Sequence, residues 1–125
     1  MRIHHLFTGD DGRSHFGSLE LADHASGGPV SLPATEITFG VFPAGRTHGY
    51  TRSPRRHFVV NISGAAELGV GSGETRTIGA GDVVFAEDTS GEGHRSLTGS
   101  EPRRVLMVAI PDDFDVTPWR VGAGE

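Results

Sequence analysis

The sequence contains neither lysine nor cysteine, so all eleven basic residues are arginine. Without lysine there is no Schiff-base amine and no Walker-loop lysine; without cysteine there is no thiolate nucleophile, zinc finger or disulfide. Lack of cysteine suits a reducing compartment, and the stretch MRIHHLFTGDDGR has no basic-then-apolar signal pattern, so a cytoplasmic location is expected. Long hydrophobic runs are missing too. The longest, Val105 to Ile110, falls far short of the ~20 residues a membrane helix needs, so no membrane partner is expected. Positive charge is also scarce: a formal net charge of -5 argues against a general nucleic-acid surface. Arg52, Arg55 and Arg56 form one local basic cluster, better suited to a small anion.

What the chain does have is glycine: 19 residues in 125, with seven prolines, while apolar residues return at intervals throughout. That composition and length point to one domain of short strands and turns. Apolar residues mostly alternate with polar ones, the period of half-buried strands, and almost no helical repeat is sustained. Strands are expected over Arg2 to Phe7, His15 to Leu21, Thr35 to Phe42, Arg56 to Ser63, Ala66 to Val70, Thr75 to Ile78, Asp82 to Glu87, His94 to Thr98 and Arg103 to Ile110. Turns separate them at Gly27 to Pro29, Ser63-Gly64, Gly71 to Gly73, Gly79 to Asp82 and Thr98 to Ser100. The reading is an all-β sandwich or barrel over about 14–110, with an N-terminal strand at 2–7. A C-terminal tail at 111–125 follows, containing Pro118 and a Gly-rich end, which Trp119 could pin to the body.

The stretch from Phe42 to His94 resembles the small single-domain cupins, whose double-stranded β-helix is a jelly-roll barrel. Counting the family's first motif from Gly45 sets its two histidines at Thr51 and Ser53, its glutamate at His57 and its closing glycine at Gly64. The glycine framework fits and the ligands do not. The second motif begins at Gly81-Asp82; its usual ending is replaced by Glu87-Asp88-Thr89-Ser90-Gly91-Glu92-Gly93-His94, two residues longer, with His94 matching the motif histidine. The segment SGAAELGVGSGETRTIGAGD looks like the family's connecting hairpins, and the motif-bearing region spans roughly half the chain.

The resemblance implies a divalent transition metal (Fe, Ni, Zn, Mn or Cu) held by histidines and a glutamate. Only two of the four matching positions are histidine here, His57 and His94, and a stable site needs three or four ligands. The third is either His48, on an expected loop at the barrel mouth, or more weakly Tyr50, Glu87 or Asp88; equally, His48 is a solvated loop residue and no metal is bound.

Strand parity adds a second set. Thr51, Ser53, Arg55, His57, Val59 and Asn61 share a side if the chain stays extended, so an inward His57 brings Arg55 and Asn61 with it unless Pro54 shifts the phase. Arg55 and Asn61, with Tyr50, are the expected substrate-binding residues, Arg forking onto paired oxygens. The alternative puts Arg55 and Arg56 on the surface, paired with acids. His57 and His94 can also act without metal as general base and acid, with a buried Glu87 or Asp88 orienting one imidazole or taking the base role. Glu87 follows Val83 and Phe85 at alternate positions, which leaves its orientation open; Asp88, with Thr89 and Ser90, reads as turn-building. His4, His5, His15 and His24 lack spaced partners and read as structural.

The resulting expectation is a small cupin enzyme of oxygenase, isomerase, lyase or cyclase type. It acts on a small, anionic or oxygenated organic molecule in the barrel pocket, with metal-assisted or metal-free chemistry at His57, His94 and Glu87. The alternative is a noncatalytic small-molecule-binding cupin, a sensor or carrier. Family resemblance also implies a homodimer, formed by sheet extension through Arg2 to Phe7.

Overall fold

The structure, a computed structural model, describes residues 1–21 and 29–121. His24, Gly27, Gly28 and the glycine-rich end at 122–125 lie outside the described residues. Ten strands form: β1 (Arg2–Thr8), β2 (Ser14–Glu20), β3 (Glu36–Phe42), β4 (Thr47–Thr51), β5 (His57–Ser63), β6 (Ala66–Gly69), β7 (Thr75–Ile78), β8 (Val83–Ala86), β9 (His94–Thr98) and β10 (Arg103–Ala109). No helix among the described residues is long and apolar enough to cross a membrane.

Strands β3 to β10 pair as nested antiparallel couples, β3 with β10, β4 with β9, β5 with β8 and β6 with β7. Successive couples fall in alternate sheets, β2-β1-β8-β5-β10-β3 and β4-β9-β6-β7. This rolled-up hairpin is a jelly roll, so the all-β jelly-roll fold implied by the resemblance is the fold observed. β1 and β2 extend the larger sheet, with β1 running parallel to β8. The N-terminal strand therefore lies inside its own chain's sheet, between β2 and β8, and its backbone edges are already taken.

Nine of the ten strands lie where alternation places them. β4 is the addition, because THGYT has a single large apolar residue, Tyr50, and that side chain is exposed. β4 is held by its pairing to β9, which is irregular between His48 and Thr51.

The larger sheet is covered on both faces near β1, β8 and β5. Between the sheets lie Leu6, Phe16, Leu68, Val70, Ile78, Val84 and Ala86. On the opposite face Ile3, Leu19, Leu21, Phe58, Phe85, Ile110 and Val116 form a second cluster, against which Phe114 and Trp119 of the C-terminal segment pack. Those two rings stack at 5.8 Å and 18°. The segment is fixed further by a bridge between Leu19 and Arg120 and by the Val121 N–H donating to Ser18 O at 3.1 Å. Adjacent residues of β8 thus face two different buried layers: Val84 and Ala86 the space between sheets, Val83 and Phe85 the tail.

Candidate functional site

Between the sheets the apolar cluster stops short of one end and leaves a cavity of about 340 Å3. Its floor is Leu6, Leu68 and Val84, all members of that cluster. Its polar wall comes from several strands: His57 from β5, His48 from β4, His94, Ser96 and Thr98 from β9, and Arg103 from β10. Thr51 and Ser53 also line it, so all four positions that match the metal motifs (Thr51, Ser53, His57 and His94) reach one space.

Behind this wall stands Asp88, whose exposure is 0%. Its carboxylate accepts from Ser14 Oγ at 2.6 Å, Ser53 Oγ at 2.7 Å and His94 Nδ1 at 2.7 Å, while its backbone carbonyl accepts from the Ser53 N–H at 3.0 Å. Three donors on one carboxylate mark it as an acceptor, which places a proton on His94 Nδ1 and turns Nε2 away from Asp88. Of the two readings offered for Asp88, the turn-building one is corrected: its side chain lies against the His94 ring, two residues past Ala86 on the face of β8 that looks between the sheets.

His57 is buried beside this dyad. Its pKa lies below the ordinary 6.5, chiefly because burial disfavours the imidazolium, with the nearby Arg55 and His94 adding to the effect and Asp88 opposing it. At neutral pH His57 is accordingly an uncharged imidazole.

The other expected site residues lie elsewhere. Glu87 points to the opposite face of the sheet, where it accepts from His5 Nε2 and from Arg56 Nε at 3.0 Å. Burial would raise its pKa, but His5 and Arg56, through hydrogen bonds and charge, outweigh that and leave it lowered. Alternation with Val83 and Phe85 left the orientation of Glu87 open; both faces of β8 are buried, and the face Glu87 takes is the one under the tail. His5, expected to be structural, is buried there with its Nδ1 unpartnered.

Arg55 is outside the cavity, paired with Glu36 on the surface. The bend over residues 54–56 breaks the extended phase, so Ser53 and His57 face inward and Arg55 does not. Arg56 is no free cation either: its guanidinium joins Glu87 and donates to Pro111 O at 2.8 Å and Asp112 O at 3.1 Å. Tyr50 is exposed and does not line the cavity. Asn61 is fully buried but acts behind the wall, donating through Nδ2 to Gly64 O at 2.8 Å and accepting from Arg103 Nε at 2.6 Å.

Sequence reading missed Ser96, Thr98 and Arg103 as cavity residues and did not give Arg52, which also lines the cavity, a place in the site; Arg103 is the most deeply buried cation among them. Its signal was its phase, two and four residues before Val105 and Met107, which face inward on β10.

His48 belongs to β4, opposite Ser96, with its ring edge-on to Phe42 at 6.4 Å. It is held by strand pairing, not carried on a loop. Among the described residues no three His, Asp or Glu side chains come together as a metal-ligand group. His48, His57 and His94 share the cavity without forming that set, and His94 commits one ring nitrogen to Asp88. These donors do not fit a metal ion.

No family model and no curated protein matches the chain. Solved structures similar to it include a conserved protein of unknown function from Streptococcus pyogenes. That match has 24% identity over 67% of this chain and 71% of that one, at a TM-score of 0.46. They also include a sugar phosphate isomerase from a cupin superfamily of Silicibacter pomeroyi, with 18% identity over 97% of this chain and 85% of that one, also at 0.46. At these scores the likenesses carry no argument about chemistry.

Proposed function

We propose that the protein is an enzyme that moves a proton on a small organic molecule bound between the sheets, by isomerisation or elimination. The observation that carries this reading is the buried Asp88 with His94 Nδ1 bound to it, beside an uncharged His57 in the same cavity. His94 Nε2 takes a proton from a carbon next to a carbonyl, and the imidazolium so formed is stabilised by the Asp88 carboxylate. The N–H of neutral His57 donates to the oxygen on which negative charge collects. Return of the proton to a different atom completes an isomerisation; loss of a leaving group completes an elimination. The apolar floor keeps bulk water from the reacting carbon.

The test is solvent-deuterium wash-in. A panel of small oxo compounds is incubated with the protein in deuterium oxide and followed by proton NMR. Exchange at the carbon next to the carbonyl, lost in His94→Ala, supports the reading. Saturable binding of panel members without exchange of any would overturn it in favour of a noncatalytic binding protein.

We also propose a homodimer, with a contact other than the one expected. β1 is already paired on both sides, whereas β3 is an edge strand whose outward residues Ile37, Phe39 and Val41 are 61%, 77% and 61% exposed. Two copies of β3 pairing antiparallel about Phe39 set Ile37 against Val41, a self-complementary twofold contact that covers both the backbone edge and the apolar row.

A further inference from the structure

Arg103 is 7% exposed, and its Nε donates to Asn61 Oδ1. Its guanidinium lies 5.6 Å from the centre of the Phe42 ring. Among the described residues no carboxylate lies within ion-pair distance of it, and its two terminal nitrogens have no hydrogen-bond partner. Those nitrogens are not sealed in the core, because among the described residues the one buried side-chain nitrogen left without a partner is His5 Nδ1. They open onto the cavity that Arg103 lines. A guanidinium stays charged in proteins, and a nearly buried charge without a counter-ion is costly. The structure supplies the cavity where a counter-ion would sit and a fork of N–H groups to hold it.

We propose that Arg103 is an anion subsite and that the substrate is a small carboxylate, its headgroup bound by the free edge of that guanidinium. The inference rests on the proton-transfer reading of the same cavity and extends it to the class of substrate. The placement is two-ended. Asn61, which anchors Arg103, and His57 lie on the same face of β5, four residues or ~13 Å of strand apart. A carboxylate at Arg103 therefore directs the body of the molecule along Val59 and Met107 toward His57 and His94. A cavity of about 340 Å3 is at the small end of the ~300–1,000 Å3 range of ligand pockets, which suits a compact acid. Arg103 here takes the role that the sequence suggested for Arg55.

The test compares benzoate and hexanoate with their uncharged amides, by calorimetry on the full chain. Both acids are expected to bind roughly tenfold or more tightly than their amides, the difference a charge-assisted fork supports. Arg103→Gln is expected to remove that preference by weakening acid binding while leaving amide binding unchanged. Arg103→Lys, which keeps the charge without the fork, should retain only part of it. If Arg103→Gln does not fold, the acid-to-amide ratio of the native protein and of Arg103→Lys still decides the matter. Equal binding of acid and amide, native acid affinity in Arg103→Gln, or no saturable binding of either acid would each overturn the proposal. The two readings fail separately. Acid preference without deuterium wash-in defeats proton transfer alone, and wash-in without acid preference defeats the anion subsite alone.

Discussion

At the scale of the residue, the cavity depends on Asp88, which is shut off from solvent yet holds three side-chain donors. Asp88→Asn keeps the shape but offers an amide to the His94 ring, which frees the imidazole to take the other tautomer. Turnover should fall by about 10²–10⁴-fold, the usual contribution of a positioned acid–base group, with a smaller change in KM. Asp88→Ala instead strands the buried donors, at about 1–3 kcal/mol for each one left unsatisfied, which denaturant titration measures. His57 gives a pH prediction. Its folded-state pKa is below 6.5, so the unfolded chain binds more protons as acidity rises. Its effect on stability is constant above 6.5 and turns unfavourable as the pH falls from there through the folded-state value. Arg55→Gln removes one of the causes and should move the His57 midpoint upward in an NMR titration; an unmoved midpoint would contradict the electrostatic account.

At the scale of the element, one glycine-bearing turn holds the wall in place. Gly93, just before β9, has φ +83°, and a Cβ there would stand 2.3 Å from both Thr51 C and Thr51 O. Gly93→Ala must therefore separate β4 from β9, on which His94 sits. The left-handed strain alone costs about 1–3 kcal/mol, so a lowered Tm is expected along with loss of function. Across the sheet, Glu87 ties β1 through His5 to the Arg56 side chain that grips the tail. Because its pKa is lowered from the ordinary 4.5, its stabilising effect is complete above that value and is lost as pH falls through the folded-state pKa. Glu87→Gln should flatten the acid limb of a stability-against-pH curve; an unchanged limb would place the acid sensitivity elsewhere.

These elements also show how much was legible in the sequence. A short apolar run between turns located β8, and the match to the family's motif, not alternation, implied an inward His57. Alternation could not assign Glu87 and Asp88 to their faces, since Val83 to Ala86 are apolar throughout and both sides of β8 are covered. Nor could it find β4, whose stability comes from its neighbour and not from its own composition, or follow phase through the bend at residues 54–56 that turns Arg55 away.

At the scale of the whole molecule, the jelly roll divides its interior into a packed end and an open end. His48, His57, His94 and Arg103 gather where the two sheets leave room. One edge of the roll is sealed by β1, β2 and the tail, and the other is the apolar row of β3. Phe39→Lys puts a charge on that row and should convert a dimer to a monomer in sedimentation at micromolar concentration. Folding stability should change by no more than about 0.5 kcal/mol, as for other surface substitutions. A native protein that sediments as a monomer would contradict the β3 contact. The chemistry of the cavity depends on the state of two rings at its open end. The most direct measurement is a long-range proton–nitrogen NMR correlation of the histidine side chains at neutral pH, on the native protein and on Asp88→Asn. The predicted result is His94 protonated on Nδ1 with Nε2 free, His57 uncharged, and a His94 pattern that changes in the variant. A His94 proton on Nε2, or a pattern that Asp88→Asn leaves unaltered, would contradict it.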